Sequence, residues 1–274
     1  MDLADRIADN LRLMRERRPL VHSITNYVVM NETANAILCL GGLPIMAHAI
    51  EEVAEMVGIA NALVLNIGTL SPDWVSAMEV AGKRANELGI PVILDPVGAG
   101  ATKFRTGASR RLLENVKVSI VRGNVGEIAT LAGIVAEVKG VESISAAESA
   151  EAIATRFAST YGCTVAATGP VDVVSDGQRL ARVSNGHAML GKVVGTGCMA
   201  TAIVASFAAV DPGPFEAAIG GLAAFGIAGE MAEAISGDRP GTFHVEIYNA
   251  LYALDSDRLR LDAKIEVTEA GRRE

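Results

Sequence analysis

Apolar residues open the chain at Leu3, Ile7, Leu11 and Met14, a spacing of three to four that stacks side chains on one helical face; Pro19 ends the run. A first helix is predicted over residues 2–17. His22-Ser23-Ile24-Thr25-Asn26 is polar between apolar flanks and reads as a loop, leading into a second helix over 27–40. The period then changes. Short runs rich in Val, Ile and Leu predict strands at 62–66, 91–95, 118–121 and 164–167. Helical patterns between them cover 72–88, 108–115, 125–131 and 146–160. Strands apolar at every position must be buried on both faces, so the alternation predicts a mostly parallel central sheet with helices on both sides.

The segment 171–180 departs from that alternation. Asp176-Gly177 between two alternating runs predicts an antiparallel hairpin. From Thr196 the chain reads as helical, in three segments separated by Asp211-Pro212-Gly213-Pro214 and Gly237-Asp238-Arg239-Pro240-Gly241. The charged tail over 264–274 is expected to fray. No internal repeat, low-complexity region or linker-like stretch interrupts the 274 residues, so a single domain over 1–274 is expected.

Composition narrows the function. Half the residues are hydrophobic but only 4% aromatic, which suits Val/Ile strands covered by Ala-rich helices. A net charge of −8 argues against nucleic acid as a main partner. The basic cluster Arg15-Glu16-Arg17-Arg18 reads more simply as cations at a helix C-terminus. Three cysteines, Cys39, Cys163 and Cys198, form no C-x-x-C pair, so neither a zinc site nor a disulfide framework is expected, and a reducing cytoplasm fits. Asp2, Asp5, Arg6 and Asp9 exclude a secretory leader in this N-terminal stretch. The most apolar region, 217–229, reads as too short and too glycine-rich to span a membrane.

In open α/β sheets, ligands bind beyond the carboxyl ends of the strands. The predicted strands end in Asn66-Ile67-Gly68-Thr69, Asp95-Pro96-Val97-Gly98-Ala99-Gly100-Ala101-Thr102, Arg122-Gly123-Asn124-Val125-Gly126-Glu127 and Thr168-Gly169-Pro170. Arg122 suits a phosphate through paired hydrogen bonds, and the Thr168 hydroxyl suits a phosphate oxygen. Asp95 and Glu127 suit Mg²⁺, partly through water. As plain structure, Asp95 is a turn former before Pro96, and Glu127 favours the first turn of its helix. Gly195-Thr196-Gly197-Cys198 precedes an apolar helix, so its free amides and the helix dipole form an anion hole, where a thiol pKa is expected to fall. The simpler reading is a tight loop with a Thr cap and a buried cysteine. No G-x-x-x-x-G-K-[ST] is present, and the late Gly-x-Gly lacks the third glycine and the context of a Rossmann site.

Taken together, His22-Ser23-Ile24-Thr25-Asn26, Asp95-Pro96-Val97-Gly98-Ala99-Gly100-Ala101-Thr102, Arg122-Gly123-Asn124-x-x-Glu127 and Gly195-Thr196-Gly197-Cys198 resemble the hydroxyethylthiazole kinase family over essentially the whole chain. The resemblance implies a ribokinase-like fold. It also implies ATP- and Mg²⁺-dependent phosphorylation of the primary alcohol of 5-(2-hydroxyethyl)-4-methylthiazole in thiamine salvage, by a homotrimer with active sites at subunit interfaces. Carried over, it places Met46, Gly195 and Asn26 at the thiazole and Arg122, Thr168 and Asn124 at ATP. Glycines 195 and 197, with Thr196, supply the anion hole, Cys198 faces the hydroxyl, and Asp95 and Glu127 hold the metal. Met46 taken alone reads as a core residue; its thioether also suits a heteroaromatic ring.

The wider superfamily usually carries Asp where Cys198 stands. Phosphoryl transfer depends mainly on positioning and charge stabilisation, so the anion hole and Mg²⁺ are expected to carry most of the catalysis and Cys198 a smaller share. Competing readings are a hydroxymethylpyrimidine or pyridoxal-like kinase, which the missing Asp disfavours, a ribokinase-like lyase that dehydrates hydrated NAD(P)H, and a non-catalytic thiazole or nucleotide binder.

Overall fold

The computed structural model describes residues 2–134 and 148–269. The Asp2 carboxylate accepts the Leu3 amide and opens α1 (Leu3–Arg17), which buries Ile7, Leu11 and Met14; Arg18, left-handed at φ 49°, closes it. Within the basic cluster, Arg15 donates to the carbonyls of Leu40, Leu251 and Tyr252, so it clamps two other helix ends. The expected loop over 22–26 is corrected. His22 and Ser23 lie inside β1 (Leu20–Ile24), fully enclosed. Hydrogen bonding on both sides, to β2 (Leu43–Ile45) and β3 (Ala62–Asn66), outweighs their polarity, and His22 Nε2 lies 2.7 Å from the Ala47 carbonyl. The next helix, α2 (Met30–Leu40), begins three residues later than expected.

Beyond β3 the sheet continues with β4 (Val92–Asp95), β5 (Ile120–Asn124), β6 (Thr164–Thr168), β7 (Asp172–Ser175), β8 (Arg179–Val183) and β9 (Ile265–Glu269). The strand order is β2-β1-β3-β4-β5-β6-β7-β8-β9. Pairing is parallel from β2 to β6 and antiparallel from β6 to β9. The hairpin turns at Gly177 (φ 90°), where the Asp176 carboxylate accepts the amides of Gln178 and Arg179. The fifth strand is shifted along the chain relative to expectation, which puts Arg122 and Asn124 within it.

The sheet separates two apolar cores. One face packs on α1, α2, α8 (Thr196–Ala208), α9 (Pro214–Ser236), α10 (Pro240–Ala253) and α11 (Ser256–Asp262). The other packs on α3 (Val53–Val57), α4 (Pro72–Leu88), α5 (Lys103–Asn115), α6 (Val125–Leu131) and α7 (Ala150–Tyr161). The expected start of α7 at 146 and 147 lies outside the described residues. Pro72 at its first turn, the Ser71 hydroxyl accepting the Trp74 amide and left-handed Gly89 bound α4.

Two expectations for the C-terminal third change. Residues 265–269 do not fray: they satisfy the open edge of β8 as β9, while 270–274 lie outside the described residues. The apolar region expected over 217–229 belongs to the 23-residue α9, long and apolar enough to cross a membrane by length and composition. Its apolar window is 72% buried inside the protein, so it is a core helix.

Close approach explains the glycines of α9. A Cβ at Gly221 would lie 2.6 Å from Val204 Cα on α8. Gly221→Ala is therefore expected to lower the unfolding free energy in urea by about 1–3 kcal/mol, despite the better helix propensity. Gly107→Ala, in α5 with nothing within 4 Å, should raise it by about 0.5–1 kcal/mol. Stabilisation by both would refute the close-approach reading.

Candidate active site

Alternation along the strands sends Val64, Ile93, Ile120 and Ala166 to the core beneath α8 and α9. Side chains two positions further point the same way, so Asn66, Asp95, Arg122 and Thr168 emerge on that face at the carboxyl ends of four neighbouring strands. The register pairs Asn66 with Asp95 and Arg122 with Ala166. Asn26 follows β1, and Met46 follows β2. Sheet order therefore lines up Met46, Asn26, Asn66, Asp95, Arg122 and Thr168 along one edge.

The start of α8 sits over this edge. Gly195 (φ 93°) is its N-cap and supplies no side chain to the free amides. Thr196 does not cap them either: its hydroxyl donates to the Leu190 carbonyl at 2.7 Å and reaches that of Val193 at 3.2 Å. The first-turn amides thus carry no side-chain cap, the arrangement that suits an anion. A Cβ at Gly197 would lie 2.8 Å from Arg122 Nη1, so a bare Cα lets the guanidinium approach this turn. Arg122 Nη2 donates to Thr168 Oγ1 at 2.7 Å, and that hydroxyl donates to the Gly123 carbonyl. Arg122 Nε is buried without a partner. Arg122, Thr168, Thr196 and Gly197 line one end of a cleft of about 570 Å³, with Leu190 and Phe225 also in its wall. That volume suits a nucleotide-sized ligand.

Beside the cleft lies a buried polar network. Asp95 Oδ2 accepts from Asn66 Nδ2 and Thr201 Oγ1, each at 2.8 Å, while Oδ1 is buried without a partner. Asn66 Nδ2 is also 3.2 Å from Cys198 Sγ, and Asn26 Nδ2 is 3.6 Å from it. Burial pushes the Asp95 carboxyl up, against the pull of Arg122 and these donors. The expected lowering of the Cys198 pKa is corrected. Burial first, then the charge of Asp95, push this thiol up to about 12.

The remaining candidates divide. Glu127 Oε1 accepts the Gly98 amide at 2.7 Å, and Oε2 accepts the Asn124 amide at 2.8 Å. The Asn124 side-chain oxygen, Oδ1, accepts the Glu127 amide in return, completing a capping box on α6. Asn124 is exposed at that cap and stands outside the cleft. Burial, followed by the charge of Asp95, raises the Glu127 carboxyl. Among the described residues no cluster of three or more His, Cys, Asp or Glu could hold a metal. Mg²⁺ needs only one or two carboxylates when phosphates and water complete its shell. The buried Asp95, with Oδ1 unpartnered, and the half-buried Glu127, which feels the Asp95 charge, fit that donor set. Met46 is half-buried and packs against the helical core at the far end of the edge.

Asn66 and Thr201 were not among the site residues expected from sequence. Asn66 ends a strand as Asp95 does, and Thr201 lies three residues beyond Cys198 on the same helical face; both signals were legible only as spacing. The raised thiol generates a prediction. Alkylation of Cys198 by iodoacetamide, followed by peptide mass spectrometry, should be at least about a hundredfold slower at pH 8 than for a free thiol of ordinary pKa, and should keep rising beyond pH 9. A plateau between pH 7 and 8 would mean an activated thiolate and overturn the burial argument.

Comparison with known proteins bears on the same elements. The model of the "HK: Hydroxyethylthiazole kinase family" matches residues 11–257. The chain is 54% identical over 265 residues to a hydroxyethylthiazole kinase of Chloroflexus aggregans, covering 97% of this chain and 95% of that one. It is 56% identical over 270 residues to a hydroxyethylthiazole kinase of Rubrobacter xylanophilus, covering 97% and 99%. The solved structure of the hydroxyethylthiazole kinase protein from Pyrococcus horikoshii superimposes with a TM-score of 0.88 at 48% identity, over 96% of this chain and 99% of that one. A Staphylococcus aureus pyridoxal kinase solved with ADP shares the ribokinase-like fold, with a TM-score of 0.65 at 14% identity over 91% and 98% of the two chains. With its motifs gathered on one sheet edge and these matches along nearly its whole length, the chain belongs to the hydroxyethylthiazole kinase family.

Proposed function

We propose that this edge transfers the γ-phosphoryl group of ATP to the primary hydroxyl of 5-(2-hydroxyethyl)-4-methylthiazole. One observation carries the reading: the uncapped first turn of α8 faces Arg122 on one side and the Asp95–Cys198 network on the other. The cleft beside Arg122 and Thr168 takes the nucleotide, and the edge from Met46 through Asn26 to Gly195 takes the alcohol. In phosphoryl transfer the charge spreads over the phosphoryl oxygens, and stabilising it is the protein's main task. The amides of α8 and the Arg122 guanidinium supply that stabilisation. Asp95 and Glu127 would hold Mg²⁺, which when bound neutralises phosphate charge and orients the transferred group. Cys198 stays protonated and lines the hydroxyl's position, so it acts as a wall rather than as the base.

The assembly we read as a homotrimer with substrate sites at subunit interfaces. Its support is apolar exposure around the alcohol side: Tyr27 and Val28, next to Asn26, are 66% and 57% exposed, and Val194, next to Gly195, is 74% exposed. Three free cysteines accord with a cytoplasmic setting.

ATP consumption with Mg²⁺ should require the thiazole alcohol and should not respond to hydroxymethylpyrimidine, and light scattering of the same preparation should give three times the chain mass. Turnover with the pyrimidine alone would reassign the substrate; a monomeric active enzyme would remove the interface from the site. Arg122→Ala should raise KM for ATP about tenfold or more, as expected for loss of a charged hydrogen bond, with KM for the alcohol unchanged. An unchanged ATP KM would take Arg122 out of the nucleotide site.

A further inference from the structure

The Asn66 side chain makes four polar contacts at the sheet edge. It is 2% exposed, at the last position of β3. Its carbonyl oxygen accepts from Asn26 Nδ2 at 2.8 Å and from the Gly68 amide at 2.9 Å. Its Nδ2 donates to Asp95 Oδ2 at 2.8 Å and approaches Cys198 Sγ at 3.2 Å. The orientation of the amide is settled by chemistry. A backbone N–H can only donate and an ionised carboxylate can only accept, so the oxygen must face Gly68 and the nitrogen Asp95.

We propose that Asn66 is a positioning residue that joins the two halves of the site, its carbonyl holding Asn26 toward the alcohol and its NH₂ aiming Asp95 and Cys198 at the phosphoryl side. The inference rests on the kinase reading above and extends it to a residue that contacts neither substrate directly. Three strands and α8 meet at this one amide: Asn26 follows β1, Asp95 ends β4, and Cys198 lies in the first turn of α8. A planar amide with two donors and one acceptor oxygen is the side chain that can satisfy all of them without adding charge beside Asp95. Gly68 reinforces the arrangement. A Cβ there would lie 2.5 Å from Asn26 Nδ2 and 2.9 Å from Asn26 Cβ, so the bare backbone presses Asn26 against the Asn66 carbonyl.

The two ends of the amide therefore have separable effects. Asn66→Asp keeps an acceptor for Asn26 and the Gly68 amide, withdraws the amide donor from Asp95 and Cys198, and sets a second carboxylate beside Asp95. It should lower kcat by about tenfold to a hundredfold while leaving KM for the thiazole alcohol within about twofold. Gly68→Ala displaces Asn26 and leaves the donor end intact. It should raise that KM about tenfold with kcat within about threefold. Asn66→Ala should show both changes. Nucleotide affinity, measured by calorimetry without metal on the full chain, should stay within about threefold in Gly68→Ala and Asn66→Ala, because neither substitution removes a hydrogen bond of Arg122 or Thr168.

A kcat for Asn66→Asp within about threefold of the unaltered protein overturns the inference, as does a joint loss of kcat, alcohol KM and nucleotide affinity in every variant, the mark of a merely structural residue. If neither Asn66 variant folds, Gly68→Ala decides the matter: an alcohol KM within about threefold of the unaltered protein overturns the inference. Absence of thiazole-dependent turnover in the unaltered protein would instead overturn the kinase reading and this inference with it.

Discussion

A single buried carboxylate, Asp95, ties the start of α8 to the carboxyl edge of the sheet. It stands at the last position of β4 and is almost wholly excluded from solvent. An ionised carboxylate in such a place is costly unless donors and an opposite charge surround it. Thr201 supplies a donor from α8, Asn66 one from β3, and Arg122 the positive charge from β5. Satisfying this one group thus docks a helix turn, whose amides are free, on the strand ends that carry the other polar residues. The remaining oxygen, Oδ1, is buried without a hydrogen-bond partner.

Strand order turns chain order into a spatial sequence along that edge. Because β1 lies between β2 and β3, Met46 and Asn26 sit beyond Asn66 and Asp95 on the side away from Arg122 and Thr168. On the reading proposed above, strand order separates the alcohol side from the nucleotide side, with the first turn of α8 between them. The close packing of α9 on α8 through Gly221 sets the position of α8 from behind, so core packing and site geometry are coupled.

Cys198 shows how competing effects are decided by magnitude. Its place at a helix N-terminus favours the thiolate, an effect of about 0.3–2 kcal/mol. Burial and the charge of Asp95 act the other way, moving the thiol from its ordinary 9.0 to about 12, which corresponds to roughly 4 kcal/mol. The thiol wins. The chain thus places a neutral group beside Asp95.

Much of this was legible in the chain because it depends on residues close in sequence. Period-four spacing in α1, continuous apolar runs in β3, β4 and β6, the Asp-Gly hairpin and the polar residues after each strand follow from local sterics and burial pattern, and the motifs were sufficient to recognise the family. Other features depend on partners far along the chain. His22 and Ser23 became strand residues because β2 and β3 flank them; residues 265–269 became a strand because β8 left an edge open. Glu127 and Asn124 spend hydrogen bonds on each other and on Gly98, and Thr196 gives its hydroxyl to the Leu190 carbonyl rather than capping α8. Asn66 and Cys198 are separated by 132 positions, and Thr201 and Asp95 by 106. Local propensity can set a period, a turn or a cap, but it carries no information about which distant side chain will fill a hydrogen bond; folding supplies that by closing the sheet beneath α8.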